Sequence, residues 1–243
     1  MKLTGLVEDY KAIYGAELLS ITRVTWPETA ILIVLTDRGV SQPARAFDVV
    51  RKWRKKGLPT PLFLTKSYIG ASLDTFPLEF MAFQKNYHVE HGEDVLQSLA
   101  FDKANVRLQC EREIKGKLLL LRKKYLETRG KSKDIRQLIA VSLPGFIMVF
   151  YGLLYVLGRS APANLSAQAD LPMARPMARE VPFAEDEIIS QLTDALKLDR
   201  ELFMTLLRVK KGEKKPSEDE LSHLLEGYLD AVNRLAQVVD SLS

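Results

Sequence analysis

The sequence predicts an α+β protein, in which a small α/β domain with a mixed sheet precedes an all-α helical bundle. Two observations favour this class. Over residues 1–100, apolar runs of strand length alternate with segments of helical period, which is typical of an α/β layer. After Asp94 the apolar residues recur at helical spacing. The predicted domains are therefore residues 1–100 and 101–243.

The first domain begins with a short predicted helix, LVEDYKAIY, and continues with two strands, LLSITRV and AILIVLT. A tight turn from Trp26 to Thr29 separates these strands, and Pro27 marks it. The next predicted helix is SQPARAFDVVRKWRKKG, which starts near Ser41 and is closed by Gly57. Two further strands are predicted, PLFLT and EFMAFQK, and the turn-rich HGED follows them.

The second domain is predicted to consist of packed helices. The apolar stripe of the first is Ile114, Leu118, Leu121 and Tyr125. Residues 159–184, rich in Ala, Pro and Ser, predict a linker or a long surface loop. Three helical segments follow, and the last begins with a capping box formed by Ser217 and Glu220. Its predicted buried residues are Leu221, Leu224, Leu225, Tyr228, Val232, Leu235 and Val239.

An uncharged run, Leu138 to Gly158, admits two interpretations. As a helix it would be about 31 Å long, close to the thickness of the hydrocarbon core of a membrane. The central helix of a bundle is also apolar on all sides. We expect the buried bundle helix, with Pro144 and Gly145 separating a first turn at residues 140–143 from the rest.

Composition indicates an intracellular globular protein. Of the 243 residues, 47% are hydrophobic and 27% are charged, as in folded rather than disordered chains. Cys110 is the single cysteine, so no internal disulfide forms, which fits a reducing compartment. We expect its thiol to be packed rather than reactive. The start, MKLTGLVEDY, lacks the apolar segment of a signal peptide, and a cytoplasmic location is expected.

The net charge of +4 is unevenly distributed. Residues 107–133 carry ten basic and three acidic side chains, and residues 45–56 include RKWRKK, where five Lys/Arg surround Trp53. Such patches are candidate contacts for the phosphates of a nucleotide or a nucleic acid. The alternative is a solvated helix face whose lysine stems cover apolar neighbours.

Three runs between residues 58 and 128 carry a likeness to a known family: LPTPLFLTKSYIGASLDTFPLEF, HVEHGED and RLQCEREIKGKLLLLRKKYLE. They resemble the middle of bacterial nucleotidyltransferase-domain proteins of the DNA polymerase beta superfamily, relatives of the kanamycin nucleotidyltransferases. The resemblance implies a small nucleotidyltransferase-like α/β domain followed by a helical bundle.

The catalytic signature of that family is altered here. In the family, a Gly-Ser turn after the first strand cradles the phosphates, and two acids one residue apart hold two Mg²⁺ ions. In this chain no Gly-Ser precedes the tight turn, there is no room for the intervening helix, and the acid positions read Glu28-Thr29-Ala30. The resemblance assigns Glu28 to the first acid position and Glu79, in the predicted strand FPLEF, to a third carboxylate.

A second candidate site contains His88 and His91, three residues apart among several acidic side chains. Imidazole and carboxylate together suit zinc or manganese. The alternative is a polar turn after an edge strand, which Gly92 favours. We expect the turn and no bound metal.

The sequence therefore predicts a nucleotidyltransferase-like protein that is catalytically inactive and acts, without a cofactor, as a nucleotide-binding or protein-interaction module. One alternative is an active nucleotidyltransferase in which Glu28 and Glu79 hold Mg²⁺ with a nucleoside triphosphate. Another is a membrane-anchored protein that uses residues 138–158. The candidate partners are a nucleotide, another protein or a second copy, and nucleic acid at residues 45–56 and 107–133; a membrane is not expected.

Overall fold

The computed structural model describes residues 3–159 and 184–242, and these residues form two compact units. The first unit consists of residues 3–101, and the second of residues 102–159 together with 184–242. The fold is α+β, with a small mixed sheet in the first unit and packed helices in the second. Apart from its two ends, the loop predicted at 159–184 lies outside the described residues.

The first unit is built on a sheet with the strand order β3-β2-β1-β4. Its strands are β1 (Leu18–Val24), β2 (Ala30–Leu35), β3 (Leu62–Leu64) and β4 (Tyr87–Gly92). β1 pairs antiparallel with β2 and with β4, whereas β2 pairs parallel with β3. The sheet is therefore mixed, as the sequence predicted.

Helices cover both faces of this sheet. They are α1 (Thr4–Tyr14), α2 (Asp37–Val40), α3 (Phe47–Arg54), α4 (Lys66–Ala71) and α5 (Pro77–Lys85). Ile31 and Ile33 of β2 belong to one core cluster with Tyr10 of α1 and Trp53 of α3. The intervening residue of β2, Leu32, belongs to a second cluster on the opposite face. A strand buried on both faces does not alternate between apolar and polar residues, which explains the continuous apolar run AILIVL of β2.

The prediction of a strand at EFMAFQK is wrong, because these residues belong to helix α5. Pro77 occupies the start of the helix, where its fixed φ is favourable and its missing N–H costs nothing. Nearly every side of α5 is buried, and Gln84 donates from Nε2 to the Leu96 carbonyl oxygen at 2.7 Å. A short helix that is apolar all round has the same sequence signature as a buried strand.

Two other elements of the first unit differ from the prediction. The residues predicted as a histidine-containing turn form β4, whose polar side chains conceal the backbone pairing of an edge strand. The helix predicted from Ser41 starts at Phe47 instead, since residues Pro43–Ala46 form a 3₁₀ turn. Gly57 does follow the helix, with a φ of +87° that favours glycine.

The second unit contains α6 (Lys103–Thr128), α7 (Ser132–Val156), α8 (Glu185–Leu196), α9 (Arg200–Lys210) and α10 (Glu218–Ser241). A short turn reverses the chain between α6 and α7, with Arg129 and Gly130 in the left-handed region. Two helices joined by so short a turn pack as antiparallel neighbours. The predicted capping box of α10 is present, and Leu225 and Val232 are fully buried in the core of the unit.

Within the described residues, one helix, Ser132–Val156, is long and apolar enough to cross a membrane, and 56% of its most apolar window is buried inside the structure. This helix, α7, packs against the other helices of the second unit. The predicted break before Pro144 is wrong, because α7 continues through that residue. A proline inside a helix removes one backbone hydrogen bond. Here that loss is offset by the burial of the neighbouring side chains Leu143, Phe146 and Ile147.

Candidate functional site

Glu28 lies exposed in the turn between β1 and β2. The two strands form a hairpin whose last pair is Val24 and Ala30, and the chain reverses within residues 25–29. No helix intervenes between them, as the sequence predicted. The nearby Trp26 is buried, so the turn is anchored by its indole while Glu28 faces solvent.

Glu79 lies in the first turn of α5 and is partly exposed, so its predicted placement on a strand is wrong. A carboxylate near a helix N-terminus is favoured by the helix dipole. In the described part of the chain, no three or more His, Cys, Asp or Glu side chains are grouped closely enough to hold a metal ion. The catalytic assignment of Glu28 and Glu79 stays a prediction.

The two histidines lie on the edge strand β4. Arg23 Nε donates to Glu90 Oε1 at 2.8 Å, and His88 Nδ1 is 3.4 Å from the same oxygen. Burial lowers the pKa of His91, and the positive charge of Lys11 lowers it further. The carboxylate nearest to His88 is therefore already bound to an arginine.

Cys110 is fully buried on α6, with its Sγ 3.7 Å from the Val149 carbonyl oxygen. Burial raises the pKa of its thiol, and the negative charge of Glu113 adds to that effect. A thiol held in the neutral form is a poor nucleophile. The prediction of a packed cysteine is confirmed.

Much of the basic patch at residues 45–56 is paired inside its own unit. Lys52 Nζ lies 2.7 Å from Asp9 Oδ2, and the same oxygen accepts from Trp53 Nε1 at 2.7 Å. The Lys56 ammonium lies 4.2 Å from the centroid of the Trp53 ring. These contacts join α1 to α3, so part of the patch serves local packing.

The acidic side chains of residues 107–133 are each bound to a basic residue of the same helix. The pairs are Arg107–Glu111, Lys115–Glu111, Lys117–Glu113 and Lys124–Glu127. Within the described residues, Arg129, Lys131 and Lys133, at the α6–α7 turn, make no ion pair. Three of the six basic residues of this stretch that make no ion pair within the described residues thus lie at the turn.

A groove with a volume of about 490 Å³ runs along one side of the contact between α6 and α7. Its apolar lining includes Leu120, Leu121, Leu138, Val141 and Phe146, and its polar lining includes Lys117, Lys124, Glu127 and Ser142. Helix α10 contacts another side of α6, where Arg122 donates to Asn233 at 3.1 Å. The groove lies entirely within the second unit.

The groove exists because both helices carry more apolar residues than their buried stripes require. On α6, Leu118 and Leu121 are buried, whereas Leu120 is 55% exposed. Across the groove on α7, Val141 is 67% exposed. The absence of a side chain at Gly145 lets the stem of Lys117 approach, since a Cβ there would be 3.2 Å from Lys117 Cε.

The floor of the groove connects to the core of the unit through Phe146. This ring meets Tyr228 of α10 edge to face, with 5.5 Å between ring centroids. Tyr228 is fully buried, and its hydroxyl has no hydrogen-bond partner among the described residues. Burial raises the pKa of Tyr228. The Ser142 hydroxyl, which lines the groove, lies near enough to lower that pKa but outside hydrogen-bonding geometry.

The sequence carries one signal for this groove, which lies outside the buried stripe of α6. The run KLLLL of α6 places leucines at four consecutive positions, which no single helical face can bury. Which of these leucines stays exposed depends on where α7 and α10 pack. No protein-family model, curated protein or solved structure matches this chain.

Proposed function

We propose that this chain is a catalytically inactive, nucleotidyltransferase-like protein that acts as a protein-interaction module, with the groove between α6 and α7 as its binding surface. The observation that carries the proposal is the pair of exposed apolar side chains, Leu120 and Val141, that line one groove from two helices. Single exposed apolar residues are ordinary, whereas an apolar groove with a polar rim is typical of a site of interaction.

The hairpin of β1 and β2 supports the inactive part of the proposal. In the two-metal site of the family that this chain resembles, one residue separates the two acids, because alternate residues of a strand share a face. Here the residue two after Glu28 is Ala30, which pairs with Val24 at the end of the hairpin. An enzyme without the metal bridge and the phosphate cradle loses transition-state stabilisation of several kcal/mol.

We also propose a cytoplasmic location, because α7 packs as the central helix of the second unit. Its side chains from Leu143 to Leu154 are largely buried against neighbouring helices. The full-length chain is expected in the soluble fraction without detergent. Recovery from membranes alone, with a soluble form after deletion of residues 138–158, would instead favour a membrane anchor.

The dimensions of the groove suit a short helix. Its lining spans Lys117 to Thr128 on α6 and Asp134 to Phe146 on α7, so it is about 16–18 Å long at ~1.5 Å per residue. A helix of roughly three turns has this length and places apolar residues on one face at the spacings typical of helix-in-groove binding.

The test is a binding measurement with a three-turn amphipathic helical peptide whose polar face is uncharged. Fluorescence anisotropy on the full-length protein is expected to show saturable binding. Leu120→Asp and Val141→Asp should each weaken it at least about tenfold, since each places a charge in the apolar contact.

The matched control is Leu108→Asp. Leu108 lies on the same helix and is 59% exposed, close to the exposure of Leu120, but it does not line the groove. Its substitution is expected to leave the affinity unchanged. Absence of binding, or equal binding by all three variants, would reject the groove as an interaction surface.

A further inference from the structure

We infer that the partner of this groove is an amphipathic helix with an acidic end, and that the acidic end lies at the α6–α7 turn. This inference rests on the proposed function, because it names the chemistry of the partner for the same groove. The observation behind it is the position of three cations, without an ion pair among the described residues, in the turn that adjoins one end of the groove. The lysines that line the groove itself are paired.

The positive charge lies in the α6–α7 turn, which adjoins one end of the groove. The lining residues Thr128 and Asp134 flank the turn, and Arg129, Lys131 and Lys133 lie between them. All three cations are exposed and none of them forms an ion pair within the described residues. Asp134 is the one acidic side chain in this short stretch, so the turn keeps a net positive charge.

The rest of the groove is nearly neutral. Lys124 Nζ lies 2.7 Å from Glu127 Oε2, and Lys117 Nζ lies 3.0 Å from Glu113 Oε2. These pairs neutralise the lysines along the α6 wall. A partner helix therefore meets apolar surface along most of its length and net positive charge at one end, which favours acidic side chains there.

The lining of the groove also favours a protein over a nucleic acid. Nonspecific binding of single-stranded nucleic acid combines basic residues with exposed aromatic rings on which bases stack. The aromatic ring of the groove lining, Phe146, is 1% exposed and packs against Tyr228 instead. The exposed apolar residues, Leu120 and Val141, are aliphatic and suit aliphatic side chains of a helix.

The experiment compares three stapled peptides on the full-length protein by fluorescence anisotropy. They share one apolar stripe and three helical turns, and they differ in one terminal turn, which is acidic, neutral or basic. The acidic peptide is expected to bind at least about tenfold more tightly than the basic one at low ionic strength. Raising the salt from about 50 to about 300 mM should reduce this preference, because the cations are exposed.

The charge is then reversed on the protein with the double variant Lys131→Glu and Lys133→Glu. Both positions lie at the start of α7, where the helix dipole favours an acid, so the variant is expected to fold. It should lose the preference for the acidic peptide while it binds the neutral peptide normally. The control variant, Lys197→Glu and Arg200→Glu, makes the same charge change at the exposed α8–α9 turn and should keep the preference.

Each outcome separates the two proposals. If all three peptides bind equally and Leu120→Asp weakens each of them, the groove is an interaction surface and the acidic inference is wrong. If no peptide binds the wild-type protein, the proposed function fails as well. The inference would be overturned if a single-stranded oligonucleotide or anionic vesicles displaced the labelled acidic peptide at a lower concentration than the unlabelled acidic peptide requires. Concentration-dependent dimerisation in sedimentation that Leu120→Asp abolishes would overturn it in favour of a second copy.

Discussion

Tyr228 of α10 lies edge to face against Phe146 of α7, with 5.5 Å between the ring centroids, and this contact joins the buried core of the second unit to the floor of the groove. Phe203 of α9 also belongs to this cluster, and its ring centroid lies 6.2 Å from that of Tyr228. Aromatic pairs in this geometry add to the stability gained from burial alone. The shape of the groove therefore depends on the packing of α10 as well as on α6 and α7.

The first prediction concerns the hydroxyl of Tyr228. Because this buried hydroxyl has no hydrogen-bond partner among the described residues, its removal relieves an unfavourable desolvation. Tyr228→Phe is expected to raise the free energy of unfolding by about 1 kcal/mol, measured by urea denaturation. Tyr125→Phe is the control, since the Tyr125 hydroxyl is partly exposed and donates to Glu226 at 3.4 Å. A clear loss of stability in Tyr228→Phe would contradict the prediction.

The second prediction concerns the apolar stripe of α10. Leu225 is fully buried, and truncation leaves a cavity, so Leu225→Ala should lower the free energy of unfolding by about 2–5 kcal/mol. Arg234 lies on the exposed side of the same helix, and Arg234→Ala should change it by less than about 0.5 kcal/mol. Equal and small effects of the two substitutions would show that α10 does not pack through this stripe.

The third prediction concerns Asp9 at the contact of α1 and α3. The hydrogen bond from Lys52 lowers the pKa of Asp9, and the bond from Trp53 lowers it further against the opposing effect of burial. Folding therefore favours the ionised carboxylate, and its stabilising contribution is present above the usual pKa of about 4. This contribution is lost as the pH falls through the lowered pKa of the folded state.

The measurement is urea denaturation of the wild type and Asp9→Asn at several pH values. The difference in the free energy of unfolding between the two should be largest near neutral pH and should shrink below about pH 4. Asp48→Asn is the control, because Asp48 is highly exposed and pairs with Arg51 on the surface. A difference that grows as the pH falls would show that the sign assigned to Asp9 is wrong.

The fourth prediction concerns catalysis. We expect no metal-dependent transfer of a nucleoside monophosphate from a nucleoside triphosphate to a hydroxyl acceptor. In the proposed nucleotidyltransferase-like assignment, Ala30 takes the position of the second acid. The measurement uses labelled triphosphates, Mg²⁺ or Mn²⁺, and small-molecule, protein and RNA acceptors. Turnover that disappears in Glu28→Gln or Glu79→Gln would establish an active enzyme. Titration of nucleotide with Mg²⁺ in a calorimeter tests separately whether the first unit binds nucleotide without turnover.

Several elements could be predicted because their signals are local. The bounds of β1 and β2, the tight turn at Pro27 and the capping box at Ser217 each depend on residues close together in the sequence. Backbone propensity, turn chemistry and capping act over a few residues, so they can be recognised without a tertiary structure.

The residues misassigned in the first unit have ambiguous patterns. The apolar run around Met81 is compatible with a strand and with a buried helix. In the structure it forms helix α5, which is buried on nearly all sides. The polar residues around His88 suit a turn, but backbone pairing with β1 made them an edge strand. In both cases the deciding contacts come from residues distant in the sequence.

The amino-acid sequence by itself determined the α+β class and the excess of leucines on α6. Only the tertiary structure decided that Leu120 stays exposed opposite Val141, and that the cations near Lys131 lie at one end of the resulting groove. The physical reason is that a helical period shows which residues share a face, whereas the packing of neighbouring helices determines which faces are covered.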